Sequence, residues 1–302
     1  MKSISLDKPG ISLVSAAPIS EGVGLLILSI DELFEAREPH SFLAVYSKGI
    51  AKGVFVPSSC VDVIWVEREG YFLGEDGVIW QYDGLDIKEL SYIEDENNIN
   101  AFRSHAYSSE QGHLIAGGGH YLFGSKNALK WESREIPINL KQEGLSYTGF
   151  EKVLFASEGA YVWGWKGMAY LISKGSYKKL ELPTNLDLHD ACVTESGVAV
   201  CGNQGVVISG SEASGWSIIE NNITDENFWG ICEFEKQIFV SNVAGLYCIE
   251  DSELALVDDI ESENTDSSFY GLKCCNACLW SIGAKHLYEY KGGLWQTLIR
   301  LG

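Results

Sequence analysis

Residues 228–257 read FWGICEFEKQIFVSNVAGLYCIEDSELALV, and residues 269–298 read FYGLKCCNACLWSIGAKHLYEYKGGLWQTL. The two stretches align without a gap at an offset of 41. Phe228 falls on Phe269, Gly230 on Gly271, Ile238 on Leu279, and Leu246-Tyr247 on Leu287-Tyr288. Self-similarity at a fixed period of this size marks a repeat architecture. Each copy holds four short apolar or alternating runs, and none sustains a helical period.

The unit recurs upstream. Its marker is a glycine turn between two hydrophobic strands: Gly74-Glu75-Asp76-Gly77, Gly164-Trp165-Lys166-Gly167 and Gly202-Asn203-Gln204-Gly205. Gly117-Gly118-Gly119, Asn242-Val243-Ala244-Gly245 and Gly283-Ala284-Lys285-His286 are looser copies. From Gly77 the turn position recurs at 119, 167, 205, 245 and 286, in steps of 42, 48, 38, 40 and 41. Four strands on a period near 42 predict an all-β, seven-bladed β-propeller with four antiparallel strands per blade, six blades being the alternative. The chain of 302 residues then forms one domain. Its units lie at approximately 11–56, 60–91, 101–137, 147–183, 188–220, 228–257 and 269–298. In the first unit, Asp31 to Ser41 is longer and more charged than the matching turn elsewhere, and reads as a short helix or a functional loop.

The fourth copy of the turn shows the pattern most clearly. It runs Val200 to Ser209 and then Ser211-Glu212-Ala213-Ser214-Gly215-Trp216. It resembles the photosystem-assembly-factor and Asp-box (BNR-type) propellers, although Ala213 stands where an Asp-box has Asp. The resemblance implies the fold and, through the assembly factors, a scaffold role. It specifies no activity.

Composition agrees with many short strands: 32 Gly, 9 Trp, 14 Tyr and 12 Phe against 6 Pro and 2 Met. The net charge of −20 disfavours nucleic acid and anionic membrane and favours basic partners. No run approaches the ~20 apolar residues of a membrane span. Without an export signal at the start, the eight cysteines read as free, mostly buried thiols in a reducing cytoplasm.

No constellation points to catalysis. A phosphate cradle needs a helix after its glycines, and a strand follows each of these turns. Cys275 and Cys278 form a Cys-x-x-Cys with no second pair to complete a zinc site. The six histidines are scattered, and the five arginines occupy no matching repeat positions, which disfavours a carboxylate clamp of the sialidase kind. No cofactor, metal or catalytic residue is therefore assigned.

The acids are placed less evenly. In a four-stranded blade, the blade-to-blade links and the second-to-third-strand turns share one face, here the link face. The predicted links carry Glu94-Asp95-Glu96, then Glu220, Asp225 and Glu226, then Asp258, Asp259, Glu261, Glu263 and Asp266. Glu75-Asp76 lies in a turn of the same face, and Trp165 in another. No Lys or Arg occurs from Gln237 to Leu272. Arg68, Lys152, Lys174, Lys236 and Lys291 are read as turn residues of the opposite, hairpin face. Phe228-Trp229 and Phe269-Tyr270 follow acidic links and read either as blade packing or as contact residues.

These features predict a non-enzymatic cytoplasmic protein whose acidic face captures a basic protein partner through Glu75, Asp76, Trp165 and the link acids. Its most concrete form is an immunity protein neutralising a bacterial toxin. An assembly or scaffold factor, and an enzyme with a site in the central channel, are the alternatives.

Overall fold

The computed structural model describes all residues except 7, 95–100, 140–147, 251–252, 258–259 and 261–267. It is a seven-bladed β-propeller. Six sheets have four antiparallel strands in simple sequential order, and the first has a fifth strand, Lys2–Ile4, added to its outer edge at Ile50–Val56. The sheets occupy residues 11–56, 60–92, 102–135, 150–179, 188–218, 230–256 and 271–300, numbered here as blades 1 to 7. In each blade the first strand faces the central axis and touches the first strands of its neighbours. The N-terminal strand was not foreseen. Helix among the described residues amounts to Asp31–Glu35 and two single 3-10 turns.

The core lies between blades rather than at the axis. The buried apolar residues fall into seven clusters, each shared by two adjacent blades. The second strand of blade 4, Gly159–Gly164, is buried along its whole length. Alternate residues on a strand point to opposite faces. Ala160 and Val162 accordingly pack toward blade 3, while Tyr161 and Trp163 pack toward blade 5. Burial on both faces explains why these strands read as continuous apolar runs. It also explains the need for a ring, since a lone blade would leave one large face wet.

The repeated turn glycines serve two purposes. Gly202 lies where a Cβ would sit 2.0 Å from the Asp187 carbonyl oxygen of the incoming link. Gly205 has φ +68°, and a Cβ there would sit 2.5 Å from the Thr224 carbonyl oxygen of the outgoing link. The turn thus fits between two links, and backbone bonds fix it there: Phe228 N–H donates to Gly202 O at 3.0 Å, and Ile93 N–H to Gly77 O at 2.9 Å in blade 2. These contacts put links and second-to-third turns on one face.

Gly175, with φ +79°, has open space around its missing Cβ. Gly175→Ala should therefore cost only the left-handed backbone penalty, about 1–2 kcal/mol. Gly205→Ala should cost about 1–3 kcal/mol more through overpacking against the link. Denaturant melts of the two variants check this. Equal losses would contradict the turn-on-link packing.

Candidate functional site

The described part of the link face is acidic. Glu94, Asp225 and Glu226 are exposed there, Glu75 is half-exposed, and Glu32, Glu35 and Glu38 add to them from the helical insertion of blade 1. The 219–229 link is held in shape by Asn221, whose amide donates to Gly205 O at 2.8 Å and Thr224 O at 2.7 Å. Its Oδ1 accepts from Ile223 and Thr224 N–H. Asp225 and Glu226 therefore project from an ordered loop. Asp76 has a structural task as well, since its Oδ1 accepts from Ser58 Oγ at 2.8 Å. The acids at Asp95, Glu96, Asp258, Asp259, Glu261, Glu263 and Asp266 lie outside the described residues.

Trp165 is half-buried. Its ring covers Gly149, and its Nε1 donates to Glu151 Oε1 at 2.7 Å. The repeated aromatics divide by position. Phe228 and Phe269 are buried and pack on Tyr247 and Tyr288. Trp229 is 41% exposed and stacks on His189 with centroids 4.3 Å apart. Tyr270 donates from its hydroxyl to Leu13 O, across to blade 1.

The hairpin face differs from its sequence reading in one residue and in character. Lys152 is not in a turn. It sits near the start of the first strand of blade 4, in the channel wall, paired with Asp190 at 2.7 Å. A register shift between Phe150 and Lys152 carries Glu151 on a bulge and aims Lys152 inward. The hairpin turns themselves mix signs. Glu67 precedes Arg68 and Glu235 precedes Lys236, and Lys236 and Lys291 pair with Glu195 and Glu21. Among the described residues, acids outnumber bases on the link face, which also carries Arg37, Lys166 and Lys285, and the hairpin turns mix signs.

The channel holds a feature that the turn pattern did not reveal. Blades 1 to 5 all carry the bulge, at Val14, Val61, Arg103, Glu151 and His189. These five, with Trp229 and Tyr270, ring the mouth of a cavity of about 180 Å³ on the axis. The residue after the bulge reaches to a neighbouring blade. Asp62 Oδ2 accepts from His105 N–H at 2.9 Å, Ser104 Oγ from Val153 N–H at 3.3 Å, and Asp190 Oδ2 from Ile231 N–H at 3.1 Å. Lys273 closes the circuit from blade 7 by donating to Asp62 and, at 2.8 Å, to Val63 O. Burial opposes ionisation of Asp62, but Lys273 and Lys152 outweigh it and hold the carboxyl below its usual range. Burial likewise works against the Lys152 charge, and Asp190 and Asp62 outweigh it and raise its pKa. Positions 62, 104, 152 and 190 follow the same steps as the turn glycines, so charge inside apolar strands at the repeat period was the available signal.

The eight cysteines are free thiols, five of them buried. Burial pushes the Cys60 thiol up to about 12 and Cys248 to about 11. Cys275 Sγ and Cys278 Sγ stand 3.6 Å apart. Among the described residues no group of three or more His, Cys, Asp or Glu is arranged to hold a metal ion, and no helix is long and apolar enough to cross a membrane.

Together these observations define a seven-bladed propeller whose channel is lined by ion pairs that cross between blades. No family model matches the chain. Over 152 residues it is 31% identical to the immune protein Tsi7 of Pseudomonas aeruginosa; the match takes in 50% of this chain and 49% of that protein, about half the length of each. Among solved structures, virginiamycin B lyase from Staphylococcus aureus superposes with a TM-score of 0.70 at 10% identity, covering 93% of this chain and 95% of its own. YCF48 from Cyanidioschyzon merolae gives 0.68 at 9% identity, covering 95% and 97%. A YCF48 bound to D1 peptide gives 0.66 at 14%, covering 96% of both chains. At these identities the structures establish the fold, and the resemblance to photosystem-assembly propellers holds at that level.

Sequence spacing also missed a histidine pair. His105 Nε2 and His113 Nδ1 lie 2.9 Å apart, in adjacent strands of blade 3, beside Tyr71 of blade 2. Burial drives His105 down to about 3 and His113 to about 4. Both are neutral when folded, whereas the unfolded chain protonates near pH 6.5. Their stability contribution is thus complete above about pH 6.5 and declines as pH falls toward 4, by up to about 1.4 kcal/mol per unit for each ring. The melting temperature should fall across that window. In His105→Gln/His113→Gln it should be lower at pH 7.5 but change less on acidification. A variant with the wild-type slope would contradict the buried neutral pair.

Proposed function

We propose that this chain is a non-enzymatic immunity protein whose link face captures a basic effector and blocks it. The 31% identity to immune protein Tsi7 over half of the chain is the observation that carries the reading. The physical features support it. Acids gathered on one face repel one another, and a chain selected only for solubility gains nothing from keeping them on one side. A basic partner gains association rate from the summed field, while a few desolvated contacts set its affinity. Glu75, Asp76, Glu94, Asp225 and Glu226 supply the described part of that field, with Asp95, Glu96, Asp258, Asp259, Glu261, Glu263 and Asp266 beside them in sequence. Trp165 and Trp229 supply aromatic contact area. The channel charges are satisfied by one another, which suits a structural role better than a reactive one. Toxin neutralisation in the cytoplasm follows from the same reading.

The reading predicts that the gene beside this one encodes a toxin that arrests growth unless this chain is co-expressed. With that pair purified, Glu94→Lys/Asp225→Lys/Glu226→Lys should slow association by about tenfold or more at low salt, with less effect at high salt. The melting temperature should stay nearly unchanged. Lys174→Glu on the hairpin face should associate at the wild-type rate. Equal slowing by both variants, or none by the first, would refute the acidic-face mechanism.

A further inference from the structure

Blade 1 is the exception to the turn pattern. Between its second and third strands it places residues 31–40, where the other blades use three or four. The insertion forms the helix Asp31–Glu35, none of whose residues is buried. Phe34 is 73% exposed at its tip. A segment this exposed would fray unless tied down, and it is tied at both ends. Asp31 accepts from Ser12 Oγ at 2.6 Å and from Lys285 Nζ of blade 7 at 2.7 Å. At the other end, buried His40 accepts the Ile30 N–H on Nε2 at 2.9 Å, which leaves its proton on Nδ1 to donate to Glu38 O at 2.6 Å. The insertion is a rigid bracket that holds an aromatic ring in water.

The bracket overhangs a groove of about 570 Å³ between blades 1 and 2. Val14, Val61 and Phe34 form its apolar wall, and Glu35, Glu38 and Glu75 its rim, with Arg37 the one Lys or Arg in the lining. Burying an aromatic ring is favourable, and the free protein forgoes that gain at Phe34. The anchors also mean that the ordering cost of the loop is met before any partner arrives.

We propose that this groove seats an apolar side chain from a basic segment of a protein partner, with Phe34 closing over it and the glutamates pairing with flanking Lys or Arg. This deepens the acidic-face reading by giving that face a specific anchor. An apolar centre ringed by complementary charge is the usual anatomy of an interface hot spot. The rim charge supplies the choice of partner, since an acidic segment would be repelled from it.

The probe is a phage-displayed random dodecapeptide library, panned on the wild-type protein, with the selected peptides measured by fluorescence anisotropy. The selected peptides should carry an apolar residue flanked by Lys or Arg. Phe34→Ala should weaken them at least tenfold, Phe34→Leu should restore most of the affinity, and Glu35→Gln/Glu38→Gln should weaken binding more at low salt than at high salt. Because Phe34 is exposed, the melting temperature of F34A should match the wild type. Failure to enrich any peptide, selection of peptides without Lys or Arg, or unchanged binding to F34A would overturn the proposal. Loss in Asp225→Lys/Glu226→Lys with none in F34A would overturn the groove while leaving the acidic-face reading in place.

Discussion

A ring of seven blades has one joint that chain connectivity does not make, and everything else in this molecule depends on its closing. Each blade here is built from consecutive strands, so no strand is shared between the two ends. The seam is closed by side chains. Trp280 of blade 7 lies so near Gly24 of blade 1 that a Cβ there would meet the indole at 2.4 Å. Its Nε1 donates to buried Glu289 Oε2 at 2.9 Å, and the same oxygen accepts Gly22 N–H from blade 1 at 2.8 Å. Burial raises the Glu289 carboxyl, but these donors more than offset it and keep it ionised. Tyr46 O–H donates to Leu298 O at 2.8 Å, and Leu13 N–H to Ala284 O at 2.8 Å. The apolar cluster beneath draws on both blades.

The seam and the link face are mechanically joined. Lys285 of blade 7 holds both Ile11 O and Asp31, the residue from which the blade 1 bracket springs. Closing the ring therefore positions Phe34. The axial circuit has a related effect. Asp62, Ser104 and Asp190 tie successive first strands together, and Lys273 returns from blade 7 to blade 2. With its interior charges so paired, the channel is a fixed hub beneath the loops of the link face. A rigid scaffold presenting loops on one face is the arrangement that recognition proteins use repeatedly.

The fold was legible because the same steric problem recurs in each blade. A turn pressed between two links admits only glycine at certain positions, so Gly77, Gly167 and Gly205 announce themselves at a fixed spacing. Which loops share the link face was legible for the same reason, since strand order alone decides it. Lys152 was misplaced because the turn glycines do not show where a one-residue bulge turns a side chain inward; only its recurrence in step with Asp62, Ser104 and Asp190 marks it. His105 and His113 meet only through antiparallel pairing, where register decides proximity. Glu289 reads as one more surface acid until Trp280 is seen opposite it. The bracket at 31–40 stood out by length and charge, but its exposed ring and double anchor needed coordinates.

Hydrogen–deuterium exchange on the complex with the cognate effector tests the central claim most directly. The account predicts slowed exchange in 31–40, 75–77 and 219–229, all on the link face, with the hairpin turns at 67–68, 174–175 and 292–293 unchanged. Protection centred on the hairpin turns, or on the outer strands such as Glu132–Glu135, with the link face exchanging as in the free protein, would contradict it.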